Sequence, residues 1–183
     1  MADEREGLLG YLAQQRYVLK LTAHGLTDEQ ARLAPTSSSL TVGGLIKHVT
    51  AVEAYWLDLT FQRPIPESQP DDYLANFRFT EDESLEGLLS SYDEVAAKTD
   101  ADMAGADLGQ AVPVPKGVPW FPDVEAWSVR WVLLHLIAET ARHAGHADIV
   151  REGIDGATAF PLMAAAENWP PMPYMKAWEP ASA

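Results

Sequence analysis

The chain has 183 residues, no cysteine, and 27 acidic against 13 basic side chains, for a formal net charge of −14. This charge argues against nucleic acid and anionic membranes as partners, because both are bound by cation-rich surfaces. The lack of cysteine excludes disulfides, thiolate zinc sites and a catalytic thiol from the chain itself. We expect one soluble, cytoplasmic domain over residues 1–183, since the sequence shows neither a signal-peptide core nor an apolar run of about 20 residues.

Four long segments carry the apolar periodicity of amphipathic helices, at about residues 3–24, 41–61, 80–103 and 128–153. Gly25 and Gly153 stand where the first and fourth helices should end. A capping box from Thr80 to Glu83 is expected to start the third helix, and Ser128 is expected to cap the fourth. Four helices with few strand signals predict an all-α four-helix bundle.

The remaining segments are short or irregular. A second capping box predicts a short helix at residues 27–33, and Gly43 and Gly44 should let the second long helix begin close to a neighbouring segment. Residues 104–127 look irregular, because alternating valines and prolines after Val112 fit only an edge strand or a loop. The tail at residues 168–183 is rich in aromatic side chains, so we expect it to pack on the domain or on a partner subunit.

Histidines and one glutamate recur along the fourth helix. His135, Glu139, His143 and His146 follow one another at steps of four, four and three, which keeps their side chains within about 80° on an α-helix. His48 lies far upstream, beside the apolar seam of the second long helix. Four of the five histidines could therefore meet at one point, as the ligands of metal sites do in helical bundles.

Two interpretations of this pattern remain open. Glu139 and His143 could belong to a polar stripe that faces solvent, because this spacing is common on exposed helices. Alternatively the pair points inward with His48 and binds a divalent ion, since burying an unpaired carboxylate is costly. Imidazole and carboxylate together favour zinc or another borderline ion. His135 and His146 would then serve as a fourth ligand, an outer hydrogen-bonding group or a proton carrier.

Two stretches resemble the DinB-like superfamily of four-helix metalloproteins, in particular mycothiol-dependent maleylpyruvate isomerase and the mycothiol and bacillithiol S-transferases. They are residues 41–49, Thr-Val-Gly-Gly-Leu-Ile-Lys-His-Val, and residues 139–148, Glu-Thr-Ala-Arg-His-Ala-Gly-His-Ala-Asp. Many members carry two histidines at the later pair, whereas the first position here is Glu139, as in the isomerase branch. His146 departs from the pattern and could compete with Glu139 as a ligand.

The resemblance implies a metal held by His48, Glu139 and His143, most simply zinc, with nickel as an alternative. It implies a metal-dependent transferase or isomerase that activates a low-molecular-weight thiol such as mycothiol. His146 or His135 would handle protons, Arg142 or Arg130 would neutralise an acidic substrate, and the protein would form a homodimer. The alternatives are a non-catalytic metal-binding stress-response or interaction protein, and a hydrolase that activates water at the same metal.

Overall fold

The computed structural model describes residues 3–65, 74–119 and 121–180. Its long helices are α1 (Glu4–Leu21), α3 (Val42–Thr60), α4 (Leu85–Ala104) and α5 (Val129–Asp155). α1 packs on α5, and α3 packs on both α4 and α5. The predicted all-α four-helix bundle is confirmed. Among the described helices, none combines the length and the apolar content that crossing a membrane requires.

Shorter elements complete the fold around the bundle. They are α2 (Asp28–Ala31), α6 (Ala159–Ala166) and the strands β1 (Ala111–Pro113) and β2 (Ala126–Ser128). The strands pair antiparallel, with Val112 opposite Trp127. The stretch that the sequence marks as irregular therefore contains a small hairpin-like pair, and β2 leads directly into α5.

Hydroxyl side chains start α3 and α5, and the sequence predicts this cap for α5. Thr41 Oγ1 accepts the Gly44 N–H at 3.0 Å, and Ser128 Oγ accepts the Trp131 N–H at 3.2 Å. Each bond satisfies an amide in the first turn that has no partner within the helix. These two caps fix the starts of α3 and α5, the helices that carry the candidate ligands.

Two predicted helix boundaries were wrong. Thr80 and Glu83 do bond to each other, with the Thr80 N–H 2.9 Å from Glu83 Oε2, but they close a separate turn. Ser84 is extended (φ −115°, ψ 150°) and caps α4 itself, so the helix begins after it. α5 runs through Gly153 and ends before Gly156, which takes the left-handed conformation (φ 73°) that glycine favours.

A buried ion pair ties α1, α3 and α4 together. Arg16 donates to both carboxylate oxygens of Glu53, at 3.1 and 2.5 Å, and to Asp100 Oδ1 at 2.8 Å. The Arg16 and Glu53 side chains are only 5% and 1% exposed, whereas that of Asp100 is 48% exposed. Removing one member of such a pair leaves a buried charge uncompensated.

Trp178, near the end of the described tail, packs against its own domain. The Trp178 N–H donates to the Pro161 carbonyl at 2.9 Å, and its indole lies 4.9 Å from the guanidinium of buried Arg151. A Cβ on Gly25, which has a φ of +71°, would overlap the same indole. The prediction for residues 181–183 lies outside the described residues.

The prediction of a close approach at Gly43 and Gly44 is confirmed, and the neighbour is the segment just before α4. A Cβ on Gly44 would overlap the carbonyl oxygen of Phe77, and one on Gly43 would overlap the ring of Phe79. The contact at Gly43 is with a side chain, whereas the contact at Gly44 is with the backbone of Phe77. The start of α3 therefore requires glycine at residue 44 more strictly than at residue 43.

Gly44→Ala should lower the free energy of unfolding by about 1–3 kcal/mol, because the backbone of Phe77 must move to admit the methyl group. Gly145→Ala is a matched control in α5, where a Cβ would meet nothing within 4 Å. That change should raise stability by up to about 1 kcal/mol through helix propensity. Urea unfolding of the two variants measures both effects, and equal stabilities would contradict the assigned contact.

Candidate metal centre

Three side chains from two packed helices converge inside the bundle. His48 comes from α3 and is 1% exposed, and His143 comes from α5 and is 9% exposed. Glu139 lies one turn before His143, and its side chain is 24% exposed. Their possible ligand atoms all lie within 4.8 Å of one another. The structure therefore brings together the three residues that the sequence singles out as ligands.

The distances fit a divalent ion. Glu139 Oε1 lies 3.1 Å from His143 Nε2 and 3.5 Å from His48 Nε2. In tetrahedral zinc sites with bonds of about 2.0–2.1 Å, neighbouring ligand atoms are about 3.3 Å apart. Two imidazoles and one carboxylate are also a common donor set for zinc and similar ions. This group can hold a metal ion.

The carboxylate of Glu139 is held in its charged form. Hydrogen bonds with His143 and then His48 lower the pKa of Glu139 well below its usual range, although burial opposes them. A half-buried negative charge beside two imidazoles is stabilised by a cation. This environment disfavours the interpretation of Glu139 and His143 as a stripe facing solvent.

Phe77 covers one side of the group. Its ring stacks on His48, with centroids 3.8 Å apart and planes at 18°, and its centroid lies 6.0 Å from that of His143. Phe77 was not predicted from the sequence. The pair Gly43 and Gly44 was the available signal, since it requires a close neighbour at the start of α3 without saying which segment supplies it.

The other two histidines of the predicted set lie on either side of the group. His135 is half-buried, stacked on Trp131 at 5.2 Å and in contact with Trp56 at 4.6 Å. Burial lowers the pKa of His135, opposed by the charge of Glu139, so its imidazole is neutral at neutral pH. His146 is exposed, with its ring 5.5 Å from that of His143. Only two of the four histidines therefore converge on Glu139, and the proton-handling roles stay predictions.

The two candidate arginines differ in their surroundings. Arg130 donates to both carboxylate oxygens of Glu4, at 2.6 and 3.1 Å, so its charge is already paired. Arg142 is exposed on α5, one residue before His143. The role of either arginine toward a substrate stays a prediction.

A four-helix bundle with a His, Glu, His group shared by α3 and α5 defines a DinB-like protein. The family model of the mycothiol S-transferases matches residues 7–156. The chain therefore belongs to the mycothiol S-transferase family.

A solved structure supports the fold. It is that of a conserved protein from Enterococcus faecalis, with a TM-score of 0.66 over 86% of this chain and 100% of that one. The two chains share 13% identity, so the likeness concerns the fold alone. No curated protein matches the sequence.

Proposed function

We propose that this protein transfers a low-molecular-weight thiol, mycothiol in the first instance, to an electrophile at a divalent ion bound by His48, Glu139 and His143. The observation that carries the proposal is the convergence of these three side chains in a chain of the mycothiol S-transferase family. Zinc suits the mixed donor set best, and nickel is the alternative.

Three protein ligands leave one position of a tetrahedral site for a substrate. When bound, the ion supplies Lewis acidity, which favours the thiolate form of a thiol at neutral pH. The chain has no cysteine, so the reacting sulfur must belong to the small molecule. The site is therefore suited to activate an external thiol.

The residues around the site would transfer the proton, shield one ligand and pair with the charge of the substrate. His146, exposed and next to His143, would take the thiol proton and pass it to solvent. The sulfur lone pair then forms a bond to the electrophilic carbon. In a substitution the leaving group departs with its bonding electrons, and in an addition a proton returns to the neighbouring atom. Phe77 shields His48 on one side, and Arg142 would pair with an acidic substrate.

Metal content and product formation test the proposal together. The purified protein should bind about one divalent ion per chain and, with mycothiol and an electrophile, yield a thioether visible by mass spectrometry. His48→Ala and His143→Ala should each lose the ion and the product. His24→Ala, a histidine outside the group, is the control and should keep both.

Each contrary result has a definite meaning. Full metal content in both the His48→Ala and His143→Ala variants would show that the ligand assignment is wrong. Metal-dependent ester or amide hydrolysis without thioether would replace thiol activation by water activation. Metal binding with neither product would favour a non-catalytic binding protein. The homodimer, the cytoplasmic location and the absence of nucleic-acid partners stay predictions.

A further inference from the structure

Three flat side chains, Trp127 in β2 and Trp131 and His135 on α5, stack on one another toward the candidate metal centre, and we call them the aromatic ladder. The Trp127 and Trp131 rings lie 4.6 Å apart with planes at 7°, and the Trp131 and His135 rings lie 5.2 Å apart at 3°. The next positions at the same step of four are Glu139 and His143. Trp131, His135 and two of the three candidate ligands therefore share one row of α5.

The ladder has a packed side and an open side. Trp56 from α3 is buried and lies 5.5 Å from the Trp131 ring and 4.6 Å from the His135 ring. Trp131 itself is 37% exposed. A tryptophan that served only the core would gain stability by burying this apolar surface as well. The exposed part of the ladder is thus available to a ligand.

The position of the ladder makes this surface relevant to the reaction. His135 and Glu139 are one helical step apart, about 6 Å along the axis of α5. Trp131 lies one further turn away, about 12 Å from Glu139 along the axis, so a small ring that packs across Trp131 and His135 would lie within about two turns of the candidate ligands. The rings that form the ladder carry no charge, given the neutral imidazole of His135. The surface suits an uncharged, planar group.

We propose that the aromatic ladder binds the flat, conjugated part of the electrophile and holds its reactive carbon beside the His48, Glu139 and His143 group. Aromatic rings attract one another beyond the burial of apolar area, so a planar electrophile is preferred over a saturated one of similar size. This inference rests on the proposed function for the reaction, but ring binding is measurable without it.

Chlorodinitrobenzene is a suitable reactive probe, and dinitrobenzene, which has no leaving group, is the binding probe. In the reaction the thiol sulfur bonds to the ring carbon that carries chlorine. Chloride leaves with the electron pair of the broken bond, and the thiol proton passes to the buffer. Iodoacetamide, a small non-aromatic alkylating agent, reports thiol activation without ring binding.

Titration of the metal-loaded protein with dinitrobenzene should quench tryptophan fluorescence saturably. Trp131→Ala should raise the midpoint about fivefold, the size expected for loss of one aromatic contact. Trp131→Phe keeps a ring and should lie close to the unmodified protein. Trp169→Phe, in the tail that packs at the far end of α5, is the matched control and should not shift the midpoint.

Kinetics should show the same selectivity. Trp131→Ala should raise the KM for chlorodinitrobenzene about fivefold and leave the KM for mycothiol and the rate with iodoacetamide unchanged. An unshifted midpoint of the dinitrobenzene titration would show that the ladder is only part of the core. An equal fall in the reaction rate with chlorodinitrobenzene and with iodoacetamide would show the same. If Trp131→Ala does not fold, Trp131→Leu and Trp131→Phe are compared instead. Saturable quenching by dinitrobenzene without thioether formation from any electrophile would support ring binding at the ladder and overturn the proposed function.

Discussion

Glu139→Gln should weaken divalent-ion binding by about 100-fold or more and abolish thioether formation. The substitution keeps the size of the side chain but removes the only negative charge among the three candidate ligands. Neutral ligands leave the charge of the ion uncompensated in a half-buried site. Loss of an outer partner of a metal ligand already costs about 10–100-fold in affinity, so loss of a ligand should cost at least as much.

Competition with a coloured chelator measures the ion affinity directly. Glu152→Gln is the matched control, because Glu152 is exposed on the same helix and should leave the affinity unchanged. Equal affinities of Glu139→Gln and the unmodified protein would remove Glu139 from the ligand set. A reduced affinity for the divalent ion with unchanged thioether formation would show that the reaction does not depend on the ion bound at this site.

The same variant has an expected pH signature in the metal-free protein. The imidazoles of His143 and His48 lower the pKa of Glu139 on folding, so the ionised carboxylate stabilises the native state. This contribution is fully present above pH 4.5, the ordinary value for glutamate, and is lost as the pH falls through the lower folded pKa. The difference in the free energy of unfolding between the unmodified protein and Glu139→Gln should therefore shrink as the pH is lowered below 4.5.

Glu53→Leu should lower the free energy of unfolding by about 3–5 kcal/mol, because it leaves the guanidinium of Arg16 buried beside an apolar side chain. Asp100 compensates only in part, since its own side chain is half exposed. Urea denaturation followed by circular dichroism measures the loss. The effect is structural, so ion binding per folded molecule should not change.

The double variant Arg16→Met with Glu53→Leu distinguishes a buried charge from lost packing. It removes both charges, so it should be markedly more stable than Glu53→Leu alone. Asp100→Asn should cost about 0–1 kcal/mol, as for an exposed ion pair. A double variant that is as unstable as the sum of its single changes would show that shape, and not charge, dominates at this contact.

Local signals in the sequence were sufficient to predict the four long helices, but not all of their ends. Apolar periodicity identified all four, and Ser128 was correctly placed as the cap of α5. The start of α4 was missed because Thr80 and Glu83 satisfy each other in a turn, as they would in a capping box. The end of α5 was missed because Gly153 and Gly156 offer similar stops. Only tertiary contacts decide between them.

The site was predictable only where its residues lie close together in the sequence or match a family pattern. Spacing along one helix placed Glu139 and His143 on one face, and the family resemblance supplied His48 from α3. Nothing local could show that Phe77 would stack on His48, because that contact joins segments remote in sequence. Likewise, the steps of four from Trp127 to Trp131 and His135 are visible in the sequence, but the packing of Trp56 from α3 against these rings is not.

The stack of Phe77 on His48 gives the site its own reporter in nuclear magnetic resonance. A phenyl ring centred 3.8 Å above an imidazole places the imidazole protons within its shielding ring current. The His48 signals should therefore appear at higher field than those of the exposed His146. Entry of an ion would move them again, so site occupancy can be followed at a single residue in solution.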